Sequence, residues 1–519
     1  MENKEKQPVN VDPGKVVVGL DIGTTKIVCI AGYMNENGKL EILGMGQSRS
    51  IGVHRGMVNN IQQTMESIKT AVSLAEKECG IEIKDVHVGI ACQHIQTSTN
   101  RASKILDPNK DFITEEDVKS FIDDMYKLNV EEGWRIINVI PQEYSVDTLQ
   151  NIENPVGYRG SRLEAEFHIV QAHVSAIHNI VKSVELAGLN VVALDLEPLA
   201  SSESVLSEDE KEAGVVLVDI GGGTTDVAIF YKGILRHTAV IPFGGNIITS
   251  DIHQELNILE RDAENLKIKF GSAIYTKEME DYTISIAGIR GRQPKQIQFS
   301  TLSAIIRARL EEIFDFVQYE IEISRYKERL GAGAVLTGGG SLMKNIKHLF
   351  ELNTGLAVRL GLPNEYLTMN APEVLNSPIY ATSVGLVLRG LQKLEKTKKI
   401  EDTNKEHHTG IKNEKIQISK QDAVKSADQD ITEGENDFSE KDDTQNNIEN
   451  ENQTGEVKNL NEETTKNSKK FYSKIFRSFD GLIIKKTYNY GNGNDQQQCV
   501  NHQSYWCRRW WLQCSQSYV

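Results

Sequence analysis

Val215–Asp226 reads VVLVDIGGGTTD, and Val16–Lys26 reads VVVGLDIGTTK. Each is an apolar run ending in Asp, then a Gly/Thr turn, then a second apolar run, Val227–Phe230 or Ile27–Ile30. Such runs predict strands covered on both faces of a sheet. Glycines in the turns let backbone N–H groups approach an anion, and the Thr hydroxyls add donors. Asp21 and Asp219 fall at the strand ends, where oxygen ligands can hold a hydrated Mg²⁺. One turn of this kind is only a turn. Two matched ones predict duplicated half-domains facing one phosphate-bearing ligand.

Ala334–Leu342, AVLTGGGSL, adds a third apolar strand, a triple glycine at Gly338–Gly340, and an expected helix from Ser341. A Gly-rich turn before a helix N-terminus admits an adenine or a phosphate closely. Between these elements, AENLK places Glu264 and Lys267 three apart, on one helix face. That spacing suits a grip on ribose and adenine, and equally a solvated ion pair.

These segments resemble the actin/Hsp70/sugar-kinase superfamily of nucleotide-binding proteins, and within it the FtsA family of actin-like bacterial division proteins. The resemblance runs from about Val16 to Leu394. Its more specific strings are NPVGYRGSRLEAEFHIV (Asn154–Val170), EPLASSESVL (Glu197–Leu206), VDIGGGTTDVAIF (Val218–Phe230) and PFGGNIITSDI (Pro242–Ile252). It implies an α/β actin-like ATPase fold, two lobes in four subdomains, with ATP and Mg²⁺ in the cleft between them. Asp21 with Gly23, Thr24, Thr25 and Lys26 matches the first phosphate hairpin. Asp219 with Gly221, Gly222, Gly223, Thr224 and Thr225 matches the second. Glu264 and Lys267 match the nucleoside-binding helix, and Gly338, Gly339, Gly340 and Ser341 the adenosine motif. Glu197 matches the place of a water-orienting, catalytic acid. The same residue also suits the start of a helix begun by Pro198, where the dipole favours an acid. FtsA-type proteins are often poor at turnover, so at most weak ATPase activity is implied.

The segment 84–166 is similar to the extra subdomain of FtsA proteins, which serves polymerisation and contacts with other division proteins. Asp85–Cys92 and Ile95–Thr99 read as strands, Thr114-Glu-Glu-Asp opens a helix, and Arg135–Ile140 and Glu143–Val146 read as two more strands. The remaining expected boundaries are a disordered stretch over 1–14, a first-lobe subdomain from 15–83, 167–212 and 379–394, a second-lobe subdomain from 213–251 and 308–378, and a small second-lobe subdomain over 252–307.

With 519 residues, one compact core is not enough and two lobes plus extras are expected. The net charge of −15 argues against nucleic acid as a partner. MENKEKQPVNVDPGK has no apolar core of a signal peptide, and no apolar run approaches the ~20 residues of a membrane span. The six cysteines form no CxxC pair or metal spacing, which fits a reduced cytoplasm.

Residues 395–468 are mostly Asn, Asp, Glu, Lys, Gln and Thr, with Phe438 the only aromatic, and predict a disordered linker. Its r.m.s. span would be roughly 45 Å. Residues 469–486, KKFYSKIFRSFDGLIIKK, then place Phe471, Tyr472, Ile475, Phe476, Phe479, Leu482 and Ile483 on one helical face with a basic rim. That is the pattern of an amphipathic helix lying on anionic lipid. A helix docking on the protein itself would have no obvious core to join after so long a tether. FtsA-like proteins end in such a membrane-targeting helix.

Residues 494–519 hold three of the four tryptophans and three of the six cysteines. Trp has the single codon TGG, so a one-base shift forces glycine across Trp506, Trp510 and Trp511. With permitted codons elsewhere, Ser504 onward becomes Val-Ile-Gly-Val-Gly-Gly-Gly-Gly-Cys-Asn-Ala-Val-Asn-His-Met. That resembles the glycine-rich nucleotide loop of FtsZ, the tubulin-like division protein, and makes 494–519 an expected out-of-frame tail.

The resemblance therefore implies a peripheral protein on the cytoplasmic face of the inner membrane at the division septum. It would self-assemble into actin-like filaments and anchor FtsZ. The FtsZ tail would meet 252–307, where Arg290, Arg292 and Lys295 in IRGRQPK offer charge, or form only a solvated basic loop. The alternatives are a pilus-assembly actin-like protein, or a kinase or chaperone ATPase on the same fold. No dedicated sugar-site Asp and no β-rich substrate domain can be placed for the latter two.

Overall fold

The computed structural model describes residues 13–279, 281–288 and 293–396. The duplication read from the two hairpins extends to whole sheets. In the first lobe the spatial order is Asn190–Leu196, Asp85–Ile90, Val17–Ile22, Lys26–Met34, Leu40–Arg49. In the second it is Val358–Leu360, Ala334–Thr337, Val215–Ile220, Thr225–Tyr231, Ile234–Ile241. In both, the first hairpin strand pairs antiparallel with the second and parallel with a later strand. Val17–Ile22 and Val215–Ile220 are buried at every position, as their apolar runs require.

The first sheet is covered on one face by the helix Ile61–Cys79, capped by Asn60 and by Gly80 at φ 71°. That helix lies so close that a Cβ on Gly46 would fall 1.8 Å from the Ala71 carbonyl oxygen, so only glycine fits there. The other face packs against a helix over 381–396, through Val384, Val387, Leu388 and Leu391 on Val17, Val28 and Ile30. The second sheet is covered by the 26-residue helix Phe299–Ser324. Its Phe314 stacks edge-on against Phe350 at 4.8 Å.

The insert is a four-stranded antiparallel sheet in the order Ile95–Ile105, Arg162–His173, Trp134–Val146, Leu149–Ile152. The helix Glu115–Met125 covers it, opened by a complete Thr114/Asp117 capping box. Phe121 meets Phe167 edge-on at 5.1 Å in its own core.

Several expected boundaries are corrected. Asp85–Ile90 belongs to the first-lobe sheet rather than to an insert starting at 84, because it pairs parallel with Val17–Ile22 and with Asn190–Leu196. Arg162–His173 stays in the insert sheet, so the first lobe resumes at Val174 and not at 167. Arg135–Ile140 and Glu143–Val146 are one strand. A register shift places Phe167 opposite Pro141 and Ala165 opposite Tyr144, leaving one extra residue on the Pro141 side. That bulge aims Gln142 and Glu143 at the second lobe, where Gln142 Nε2 donates to the Leu235 carbonyl at 2.9 Å and Glu143 pairs with Arg236 at 3.2 Å. The boundaries at 251/252 and 307/308 fall inside the helices Gly245–Glu255 and Phe299–Ser324. Pro13–Lys15 forms a short 3-10 turn rather than the end of a disordered stretch. The expected linker start at 395 is corrected, because the helix continues through Lys396; the rest of the linker, the amphipathic helix and the tail lie outside the described residues.

Candidate functional site

The two hairpin turns face each other. A Cβ on Gly222 would fall 2.0 Å from Thr25 Oγ1, and one on Gly223 would fall 2.4 Å from Thr24 Oγ1. Thr24 Oγ1 also accepts from the Gly56 amide at 3.1 Å. The turns therefore meet at glycine, with hydroxyls and backbone amides at the contact. Behind them the aspartates are buried. Asp21 accepts from Ser383 at 2.7 Å and pairs with Lys26 at 3.6 Å. Asp219 accepts from Ser201 at 2.6 Å and from Thr382 at 3.2 Å.

Two more carboxyls join them. Asp226, opposite Asp219 in the hairpin register, is 4% exposed, and its Oδ1 has no hydrogen-bond partner among the described residues. Glu197 is the first residue of the helix Glu197–Val205, as the helix-start reading expects, and it also faces the aspartates. Burial, then Asp21, Asp226 and Asp219, push its carboxyl well above the usual range, and Lys26 only partly opposes this. Asp226 is raised by burial and by Asp219 and Asp21; Asp219 is raised chiefly by burial. Crowded carboxyls with one nearby lysine are an oxygen-rich set short of positive charge, which suits a hard divalent cation. Among the described residues, no three potential ligand groups converge tightly enough to hold a metal directly.

The third turn closes against the second hairpin. Ala334–Thr337 runs parallel to Val215–Ile220, with Thr337 beside Asp219. Gly338 has φ 80°, and a Cβ on it would fall 2.2 Å from Asp219 Oδ1. Gly339–Leu342 is a 3-10 turn in which Ser341 Oγ donates to the Gly338 carbonyl at 2.7 Å. The expected helix from Ser341 is corrected: the α-helix starts at Ile346, after Asn345 in the left-handed region.

Glu264 and Lys267 pair at 2.7 Å on the helix Glu260–Phe270, but not as a solvated surface pair. Lys267 Nζ also donates to the Gly245 carbonyl at 2.9 Å and to Thr249 at 2.7 Å, and burial lowers its pKa. The Gly245 amide in turn donates to the Gly221 carbonyl at 2.9 Å, so this helix is tied to the second hairpin turn. Lys295 is engaged with the Leu256 carbonyl just past the helix Gly245–Glu255. Arg290, Arg292 and the seven apolar residues from Phe471 to Ile483 lie outside the described residues.

Sequence reasoning missed Asp226, Ser201, Thr382 and Ser383. Asp226 carried a signal, as the lone acid in the otherwise apolar run VAIF and its flanks. The three hydroxyls carried none, since Ser and Thr in an apolar helix are ordinary.

Residues 216–385 match the family profile described as "Cell division protein FtsA", and residues 92–171 match "SHS2 domain inserted in FTSA". The second match agrees with an insert beginning after Ile90. The chain is 39% identical over 384 residues to the cell division protein FtsA of Pseudomonas aeruginosa, covering 74% of this chain and 91% of that one. It is 35% identical over 383 residues to that of Escherichia coli, covering 72% and 90%. Among solved structures, the fold is similar to a chain of the PilM-PilN type IV pilus biogenesis complex. The TM-score is 0.54 at 17% identity, covering 72% of this chain and 98% of that one. That likeness concerns the fold, which is actin-like. The curated relatives and the inserted SHS2 domain decide the family: the chain belongs to the FtsA family of cell division proteins.

Proposed function

We propose that this chain binds ATP with Mg²⁺ between its two hairpins, assembles into actin-like filaments on the cytoplasmic face of the inner membrane, and anchors FtsZ at the division septum. The observation that carries the reading is the face-to-face placement of Thr24 and Thr25 against Gly222 and Gly223 over buried Asp21 and Asp219. The turn amides and hydroxyls bind phosphate oxygens, and Lys26 adds positive charge beside Asp21. Glu264 and Lys267 hold the nucleoside side from the helix packed behind Gly221. Gly338–Ser341 admit the adenosine beside Asp219. The cation supplies the positive charge that the carboxyl cluster lacks.

Glu197 orients a water. Burial and the neighbouring aspartates raise its pKa. ATP then acts chiefly as a ligand that sets subunit shape. The insert carries contacts to other division proteins and to the next subunit. FtsZ docks on the small second-lobe subdomain, with Arg290 and Arg292 as its charged contacts and Lys295 restrained by Leu256.

Among the described residues, no helix is long and apolar enough to cross a membrane. Attachment is assigned to the sequence pattern of Phe471, Tyr472, Ile475, Phe476, Phe479, Leu482 and Ile483 with their basic rim, which suits anionic lipid. Sedimentation with anionic liposomes and purified FtsZ tests this. The full chain should carry FtsZ into the pellet, and a chain ending at Ser468 should bind neither lipid nor bring FtsZ down. Lipid binding retained after that truncation would contradict the membrane assignment. Lipid binding without FtsZ would contradict the anchoring role.

A further inference from the structure

The helix over 381–396 opens with adjacent hydroxyls that reach both hairpins. Ser383 Oγ donates to Asp21 Oδ2 at 2.7 Å, and Thr382 Oγ1 donates to Asp219 Oδ2 at 3.2 Å. Ser201, from the helix Glu197–Val205, donates to the same Asp219 oxygen at 2.6 Å and lies 3.0 Å from Thr382. All three side chains are buried. Asp21 and Asp219 belong to different lobes, so neighbouring residues of one helical turn fix a carboxylate on each side of the cleft.

Packing does not require these hydroxyls. Alanine favours a helix more than Ser or Thr, and a buried hydroxyl costs free energy unless it is hydrogen-bonded. Each donates to Oδ2 only, which sets the carboxylate rotamer and leaves Oδ1 free of that restraint. On Asp219, Oδ1 is the oxygen that Gly338 approaches. The helix is also held at its far end. Arg389 Nε meets Asp195 Oδ1 at 3.0 Å, and Lys393 Nζ meets both Asp195 oxygens at 2.7 and 2.8 Å. Asp195 lies two residues before Glu197, so the opening turn is braced against the segment that carries Glu197. The unpartnered, buried Asp226 Oδ1 independently indicates that this cluster is completed by a ligand.

We propose that Ser383, Thr382 and Ser201 are positioning residues of the cation site: they pre-set Asp21 and Asp219 so that the hydrated cation accompanying a nucleoside triphosphate is received without reordering either carboxylate. The inference rests on the ATP·Mg²⁺ reading above. Groups that orient metal-binding side chains typically contribute about 10- to 100-fold in metal affinity.

Calorimetric titration of the full chain with ATP, in Mg²⁺ and in EDTA, separates this role from simple packing. In Ser383→Ala and in Thr382→Val, the gain in ATP affinity on adding Mg²⁺ should shrink by about tenfold, with the affinity in EDTA unchanged. Ser383→Thr, which keeps a hydroxyl, should restore the gain. A full Mg²⁺-dependent gain in both hydroxyl-deleted variants overturns the proposal alone. So does an equal loss in Mg²⁺ and in EDTA, which would mark a packing role. A wild-type chain that binds no ATP under either condition overturns the nucleotide reading itself, and this inference with it.

Discussion

Gly338→Ala is expected to abolish ATP binding while leaving the insert folded. Gly338 sits at φ 80° and ψ 170°, a region essentially reserved for glycine, where an L-residue is strained by about 1–3 kcal/mol. Strain alone is tolerable; the neighbours are not. The added methyl would lie 2.2 Å from Asp219 Oδ1, 2.6 Å from the Ile220 carbonyl oxygen and 2.8 Å from its carbon. Two of these atoms belong to the backbone of a fully buried strand and cannot yield. The third can yield only by turning the Asp219 carboxylate, which breaks its bonds to Ser201 and Thr382. The variant should lose at least about 100-fold in ATP affinity, close to 3 kcal/mol. Gly355→Ala is a control for a positive φ in open surroundings, at ψ 4° rather than 170°. Gly355 has φ 73°, but a Cβ there meets nothing within 4 Å. It should cost some stability and no affinity. Titration of both variants checks this, and equal losses would mean that the Asp219 contact is not responsible.

Acidification should loosen the insert's contact with the second lobe, through His168. This ring sits on the strand Arg162–His173, is 4% exposed, and has no partner for Nε2 among the described residues. It faces His237 at 6.2 Å, and His237 in turn is bonded to Glu320 at 2.8 Å. Burial first, and the neighbouring His237 second, hold the His168 pKa at about 4, against an ordinary value of 6.5. Between those pH values the unfolded chain takes up a proton that the native chain refuses. Stability therefore falls as pH drops through that window and is fully present above it. The shift corresponds to at most about 3 kcal/mol. Thermal unfolding from pH 7.5 downward should show the loss in the wild type and a shallower slope in His168→Leu. Parallel slopes would contradict the assignment to this ring.

The parts of the fold that could be read in the chain are those whose chemistry is local. An Asp, a Gly/Thr turn and flanking apolar runs need no distant residue to be recognised, and both hairpins formed where they were expected. The insert's edge needed distant information. Asp85–Ile90 reads as a strand in any context, but its sheet is chosen by parallel pairing with Val17–Ile22, across the whole helix Ile61–Cys79. Arg135–Ile140 and Glu143–Val146 read as two strands, yet Pro141 stays within one: the bulge beside it shows how the sheet accommodates a residue without an N–H. At the site, spacing placed Glu264 and Lys267 together but did not disclose their burial or the bond to Gly245. Ser201, Thr382 and Ser383 were illegible because nothing about a hydroxyl in a helix says which carboxylate it will meet after folding.

Hydrogen exchange of the full chain with and without ATP·Mg²⁺ tests the nucleotide cleft most directly. Backbone amides gain protection where a ligand orders or covers them. Protection is predicted together in four separate stretches, 21–26, 219–225, 264–267 and 338–341, because the proposed reading has them surround one ligand. Binding that protects neither hairpin turn, or that protects only one lobe, would contradict a phosphate clamp shared between Asp21 and Asp219.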